Sequence, residues 1–156
     1  MRISLRPVTR RDWKSILKMR NEPQVRLACH DTSIIMFDTH KEYMQKLDSN
    51  PIAHQWMICC GDEVIGHVKI IAGELGYMLK KGFRGKGLGV KFHELVFVEA
   101  KKIGIIKLKD TIKIHNNASL KLALKTGFVS KGLIYKDGKP YAYVLEKILE
   151  TGDMNQ

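Results

Sequence analysis

A glycine-rich basic stretch, LKKGFRGKGLGVKF at residues 79–92, carries the strongest chemical signal in the sequence. It follows a predicted strand and leads into a predicted helix. The first turn of a helix leaves backbone N–H groups unpaired, and the helix dipole favours negative charge at that end. Because glycine also allows close approach of the backbone to a phosphate, the stretch predicts an anion-binding loop.

The spacing of its glycines excludes the two best-known nucleotide loops. A Walker A loop requires G-x-x-x-x-G-K-[ST], and the dinucleotide fingerprint requires G-x-G-x-x-G. Here Gly85, Gly87 and Gly89 follow the pattern G-x-G-x-G. The stretch does contain Arg84-x-x-Gly87-x-Gly89, that is, R-x-x-G-x-G between a strand and a buried helix.

A second motif lies downstream, in HNNASLKLALKTGF at residues 115–128, with Asn116, Ser119, Gly127 and Phe128 in an N-x-x-S…G-F arrangement. R-x-x-G-x-G resembles the pyrophosphate loop of the GNAT acetyltransferase superfamily, and the second motif resembles that superfamily's second signature. The order of predicted elements is also similar, so the resemblance covers residues 1 to about 148.

The resemblance implies acetyl-CoA as co-substrate, with no metal. The backbone amides from Gly85 through Lys86, Gly87 and Leu88 to Gly89 would hold its pyrophosphate, and Arg84 and Lys86 would add positive charge. Main-chain groups near Tyr77 and Leu79 would contact the pantetheine arm, and Asn116 and Ser119 would complete the cofactor-binding set. Asn116 could equally be a helix cap, and the two roles are compatible.

Transfer to an amine requires removal of a proton from the nitrogen and stabilisation of the departing thiolate. For the base we expect Glu74, on the strand before the loop, although a solvated carboxylate at a strand edge is the simpler interpretation. His54, His67 and His115 are alternatives, because an imidazole titrates near neutral pH.

The family's usual acid is a tyrosine four residues after the signature serine, and Ala123 occupies that position here. Four tyrosines could substitute for it: Tyr77, Tyr135, Tyr141 and Tyr143. The sequence does not rank them, and protonation by solvent is the other option.

The acceptor is expected to meet the first helices, with Arg20, Asn21 and Arg26 as candidate contacts or as ordinary surface residues. These helices resemble a subgroup that acetylates a nucleotide-linked amino sugar in pseudaminic-acid-type pathways, and also acetyltransferases of ribosomal-protein N-termini. The sequence favours a UDP-amino sugar, whose phosphates suit a basic groove. Peptide N-terminal acetylation and a catalytically weak CoA-binding module stay open as alternatives.

The net charge of +11 is concentrated in the second half of the chain. Residues 1–72 carry 11 basic and 8 acidic side chains, and residues 73–156 carry 16 and 8. This balance predicts an anionic partner, but only Phe83 and Phe92 lie near the basic cluster, so nucleic acid is not expected. Three cysteines without a C-x-x-C pair predict no zinc. We expect no membrane span and a cytoplasmic location.

The periodicity of the chain predicts the α/β class, of the α+β type: a mixed, mostly antiparallel sheet of about seven strands with helices on both faces. Residues 1–150 are expected to form a single domain, and residues 151–156 a frayed tail. Asp38 or Thr39 is expected to cap the third helix, with Thr39 and Glu42 spaced as a capping box. Two segments that read as strands, FVSKGLIYK and YAYVLEKIL, flank the pair Asp137-Gly138, which predicts a two-residue C-terminal hairpin. The edge strands of this hairpin would allow a homodimer.

Overall fold

The computed structural model describes residues 2–149 and contains seven strands and five α-helices in that range. The strands are β1 (Ile3–Pro7), β2 (Ala53–Cys60), β3 (Glu63–Ile71), β4 (Glu74–Leu79), β5 (Lys107–Lys113), β6 (Val129–Lys136) and β7 (Lys139–Ile148). The helices are α1 (Trp13–Arg20), α2 (Pro23–Ala28), α3 (Phe37–Ser49), α4 (Leu88–Lys102) and α5 (Asn117–Lys125).

The strands form one sheet in the order β1-β2-β3-β4-β5-β7-β6, which confirms the predicted fold class. Every neighbouring pair is antiparallel except β4 and β5, which are parallel. One face of the sheet packs against α4 and α5 around Phe92 and Val96. The other face packs against α1 and α3 around Trp13 and Met44.

The parallel strands β4 and β5 meet at one register pair, Glu74 with Lys109, near the start of both strands. Beyond that pair no residue of β4 pairs with a residue of β5, so a gap opens between the carboxyl ends of the two strands. β4 leads directly into the glycine-rich loop, and β5 leads into α5. The gap therefore lies beside both sequence motifs, as expected for a site at the carboxyl ends of parallel strands.

Two local predictions have clear outcomes. The hairpin signal at Asp137 and Gly138 is confirmed, because both residues adopt the positive φ angles (52° and 75°) of a two-residue turn. The capping box at Thr39 and Glu42 is wrong. α3 begins at Phe37 after Met36, so Asp38 and Thr39 already lie within its first turn.

The C-terminal hairpin places β6 at the edge of the sheet, exposed along its whole length. The homodimer stays a prediction, and the tail at residues 151–156 lies outside the described residues. No helix among residues 2–149 has the length and apolar character needed to span a membrane.

Candidate active site

A cavity of about 1080 Å³ opens where β4 and β5 separate. Its walls come from α2, the end of β4, the glycine-rich loop with the start of α4, the end of β5, one side of α5, and the start of β7. Both sequence motifs thus face one cavity, although they are about 30 residues apart in the chain.

The glycine-rich loop forms a cradle at the start of α4. Gly85 and Gly87 have φ angles of 71° and 73°, which L-amino acids with side chains rarely adopt. A Cβ atom at either position would have no heavy atom within 4 Å, so the space above the backbone is open. The amides at the start of α4, from Leu88 onward, have no intrahelical partners. This geometry fits a pyrophosphate.

Gly89 also has a packing role that the sequence does not predict. A Cβ atom at Gly89 would lie 2.5 Å from Cδ2 of Leu122, on α5. The missing side chain therefore lets α4 and α5 pack closely, and the phosphate contact expected of the Gly89 amide stays a prediction. Gly89 still lines the cavity, so the helix contact and the cavity wall depend on the same residue.

The guanidinium of Arg84 is held by three protein acceptors. Its Nη2 donates to Oε2 of Glu22 at 2.6 Å, its Nη1 to Oε1 of Gln24 at 2.8 Å, and its Nε to the carbonyl of Leu79 at 2.9 Å. Arg84 thus ties the loop to α2 and to the end of β4. The guanidinium of Arg84 and the carbonyl of Leu79 therefore already have protein partners. The phosphate contact expected of Arg84 and the pantetheine contact expected of Leu79 stay predictions.

Lys86 lies on the exposed side of the loop and does not line the cavity. Its Nζ is 5.9 Å from the ring centroid of Phe83, which does line it. The ammonium is therefore free to move in solvent near the loop, where it raises the local positive potential. Direct contact of Lys86 with a phosphate stays a prediction.

Three residues of the predicted cofactor set meet on one side of the cavity. The Oη of Tyr77 and the Oγ of Ser119 are 3.0 Å apart, and the backbone N–H of Ser119 donates to Oδ1 of Asn116 at 3.2 Å. Asn116 is thus the N-cap of α5 and also lines the cavity. Ala123, one turn after Ser119, is buried in the core and cannot supply an acid.

Glu74 does not line the cavity. It is an exposed residue at the first position of β4. Met78 lies on the same face of that strand and does line the cavity. Four residues of strand separate the two by about 13 Å. The assignment of Glu74 as base stays a prediction, and this distance requires that a chain of water carry the proton.

Arg20, Asn21 and Arg26 bind backbone carbonyls and do not line the cavity. Arg20 donates to the carbonyl of Asp31, and Arg26 to those of Asn21 and Thr32. The amide of Asn21 donates to the carbonyl of Ile35 and accepts from its N–H. These residues fix the segment that follows α2, and this geometry does not support the expected acceptor contact.

Two contacts that the sequence did not predict secure α2 and the segment just after it at the far side of the cavity. The Nζ of Lys113, at the end of β5, donates to the carbonyl of Leu27 at 3.0 Å. The Oη of Tyr141, on β7, is 3.0 Å from Nδ1 of His30. Neither contact belongs to a motif, because the partners are 86 and 111 residues apart in sequence. With Arg84 at its other end, α2 bridges the cavity.

The charges that line the cavity are all positive within residues 2–149. Its ionisable lining residues are Arg84, Lys113, His115, Lys121 and Lys125, together with the phenols of Tyr77 and Tyr141. No Asp or Glu is among the described residues that line it. The cavity therefore favours anionic groups over cationic ones.

Comparison with known proteins agrees with this geometry. The sequence profile of the acetyltransferase (GNAT) domain matches residues 2–129. The chain belongs to the GNAT acetyltransferase family. As a member of that family it is an acetyl-CoA-dependent N-acetyltransferase, and the cavity described above is where its two motifs converge.

Solved GNAT structures share the fold at low sequence identity. A spermidine N-acetyltransferase from Vibrio cholerae, in complex with CoA and spermine, superposes with a TM-score of 0.84 at 16% identity and covers 94% of this chain and 95% of its own. A ribosomal L7/L12 α-N-protein acetyltransferase with CoA gives 0.80 at 16% identity, covering 96% and 95%.

An N-acetyltransferase from Staphylococcus aureus Mu50 gives a TM-score of 0.79 at 20% identity, covering 96% of this chain and 100% of its own. No curated protein sequence matches the chain. At these identities the structures define the fold of the chain and leave its acceptor open.

Proposed function

We propose that this acetyltransferase moves the acetyl group of acetyl-CoA to a primary amine on a small molecule that also carries an anionic group. The observation that supports this choice is the lining of the cavity, which within the described residues contains three lysines, the ion-paired Arg84 and no carboxylate. A polycationic amine would find no partner for its second charge there, whereas a carboxylate or phosphate would.

The glycine-rich loop supplies the donor side. The backbone amides at the start of α4 bind the pyrophosphate, and acetyl-CoA then provides the activated acetyl group. Arg84 holds this loop in place through Glu22, so that the cradle exists before binding. Such preorganisation lowers the entropic cost of binding.

The acceptor side is formed by α2 and by the ends of β5 and β7. Val25 and Leu27 offer apolar contacts, and Lys113 and Tyr141 offer polar ones. Lys113 is well placed to meet an anionic group, because its one protein acceptor is a backbone carbonyl. With no carboxylate on the described wall, the amine loses its proton to water, or to Glu74 through water.

Two classes of acceptor satisfy this chemistry. A nucleotide-linked amino sugar, which the sequence favours, brings two phosphates, and an amino acid brings one carboxylate. The N-terminus of a basic protein satisfies it poorly, because the cavity would repel neighbouring lysines and arginines. A weak CoA-binding module would bind the donor and transfer nothing.

The test is thiol release from acetyl-CoA with matched acceptor pairs. Each pair contains an amine with its anionic group and the same amine without it: a UDP-amino sugar against the free amino sugar, and an amino acid against its amide. Spermidine serves as the polycationic comparison. We expect kcat/KM to be at least tenfold higher for the anionic member of the preferred pair.

A variant of a lysine in the cavity wall tests whether the cavity causes the preference for anionic amines. Lys113→Met should reduce the preference, and Lys131→Met, on the exposed edge strand β6, should leave it unchanged. Faster release with spermidine than with any anionic amine would overturn the proposal. Release with no amine, together with tight CoA binding, would favour the binding module.

A further inference from the structure

A pair of hydroxyls from different elements lies in the cavity wall where β4 and β5 separate. β4 supplies Tyr77 and the first turn of α5 supplies Ser119, and their oxygens are 3.0 Å apart. Both residues line the cavity. Binding of the pyrophosphate and of the acceptor, as described above, uses neither hydroxyl.

Cleavage of a thioester needs a group that stabilises the departing sulfur. Heterolytic cleavage of the carbon–sulfur bond leaves the sulfur as a thiolate. Because a cysteine thiol titrates at about 8.5, this anion is less stable than the protonated thiol at neutral pH and needs stabilisation as it forms. A hydrogen-bond donor that already points at the sulfur stabilises this charge as it develops.

Several side chains on the described wall can donate a hydrogen bond, and the phenols among them are neutral donors with a fixed ring. Tyr77 and Tyr141 are the two tyrosines that line the cavity, and Tyr141 already interacts with Nδ1 of His30 at 3.0 Å. Ala123 has no polar side-chain atom. Tyr77 is therefore the phenol whose hydroxyl has only another cavity hydroxyl as its partner.

The ring of Tyr77 is held firmly. Its centroid lies 5.0 Å from that of Phe92 and 5.1 Å from that of His93, which meets it edge-on. Ser119 is fixed in turn by the cap, because its N–H donates to Asn116. Burial raises the pKa of Tyr77 to about 12, with Asp110 as a smaller contribution, so the phenol keeps its proton at neutral pH.

We infer that the hydroxyl of Tyr77, oriented by Ser119, donates a hydrogen bond to the sulfur that leaves during acetyl transfer. The amine nitrogen bonds to the acetyl carbon, the carbon–sulfur bond breaks, and its electron pair goes to sulfur. Tyr77 keeps its proton and shares it with the sulfur. The nitrogen loses a proton to water, and water later returns one to the thiolate. This inference rests on the proposed use of acetyl-CoA.

The test measures the pKa of the thiol of bound CoA, which needs no acceptor. CoA is titrated in complex with the wild type, Tyr77→Phe and Ser119→Ala, and the ultraviolet absorbance of the thiolate is followed against a blank of the same protein with desulfo-CoA. Tyr135→Phe, on the exposed strand β6, is the matched control. Asp110, which contributes to the raised pKa of Tyr77, and His93, which packs edge-on against its ring, are present in every variant, so their effects cancel.

We expect the thiol pKa to be at least about one unit lower in the wild type and in Tyr135→Phe than in Tyr77→Phe, a tenfold difference in thiolate population. Ser119→Ala should lie between them. Equal thiol pKa values in the wild type and Tyr77→Phe, both saturated with CoA, would overturn the inference and leave the proposed function standing. Failure of the wild type to bind CoA would instead overturn the proposed function.

Discussion

At the scale of single residues, Arg84 illustrates how a motif residue can act through its neighbours. Its guanidinium is mostly buried and hydrogen-bonded to Glu22, Gln24 and the carbonyl of Leu79. A bonded guanidinium of this kind fixes geometry, whereas a free one would bind phosphate directly. The two roles make opposite predictions for removal of its carboxylate partner.

Glu22→Gln separates these roles. If Arg84 positions the loop, loss of the ion pair should loosen the cradle, weaken acetyl-CoA binding about three- to tenfold and cost about 1–2 kcal/mol of stability. If Arg84 binds phosphate, its release from Glu22 should tighten binding. Titration calorimetry of both proteins distinguishes the outcomes, with Glu94→Gln, an exposed residue of α4, as the control.

Asn116 combines two roles that a second substitution can separate. Asn116→Asp retains an oxygen that can accept from the N–H of Ser119, so the melting temperature should change little. The substitution also removes the amide donor and adds negative charge to the cavity, so acetyl-CoA affinity should fall at least tenfold. Unchanged affinity in Asn116→Asp would restrict Asn116 to capping.

At the scale of elements, the contact between α4 and α5 depends on the absence of a side chain at Gly89. In Gly89→Ala the new methyl group would displace Leu122, and we expect a loss of about 1–2 kcal/mol of stability. In Gly89→Ala/Leu122→Ala the conflict is removed, so the double variant should lose less than the sum of the single changes. Urea unfolding of the four proteins completes the cycle, and additive losses would argue against this packing.

The elements themselves were largely readable from the sequence. Periodicity predicted α4 and β7, and the Asp137–Gly138 pair predicted the final hairpin, because these signals depend on neighbouring residues. The start of α3 was missed, since Thr39 and Glu42 have the right spacing for a cap but lie inside the helix. Local spacing does not show which of several adjacent turns begins a helix.

The candidate site also has a part that the sequence predicts and a part that it does not. The glycine cradle and the Asn116 cap were predictable, because each is encoded within a few residues. The contacts that secure α2, Lys113 with Leu27 and Tyr141 with His30, were not, because tertiary packing alone brings them together. Arg20 was assigned to the acceptor from its place in the first helices, yet it binds a backbone carbonyl.

At the scale of the whole molecule, buried ionisable groups set the pH range of stability. Burial lowers the pKa of His67 to about 3 and that of His93 to about 4. Between these values and about pH 6.5 the unfolded chain binds more protons than the native state. Stability is therefore expected to fall as the pH drops below about 6.5.

Asp110 gives the pH dependence of stability the opposite sign. Burial, with a smaller contribution from Glu74, raises its pKa to about 7, so the native state binds the extra proton between about pH 4 and pH 7. Its contribution is present at low pH and is lost as the pH rises through 7. Asp110→Asn should raise the melting temperature by roughly 5–10 °C at pH 8 and change it little at pH 4. An equal shift at both pH values would contradict this assignment.

The most direct test of the central claim is titration calorimetry of acetyl-CoA into the wild type, Gly87→Ala and Gly138→Ala. Both glycines have positive φ angles near 75° and open space at the Cβ position, so the two substitutions impose similar strain. Only Gly87 belongs to the cradle, since Gly138 lies in the turn between β6 and β7. We predict that Gly87→Ala weakens binding at least tenfold and that Gly138→Ala binds like the wild type. Equal affinities in all three proteins, or no binding by the wild type, would contradict the account.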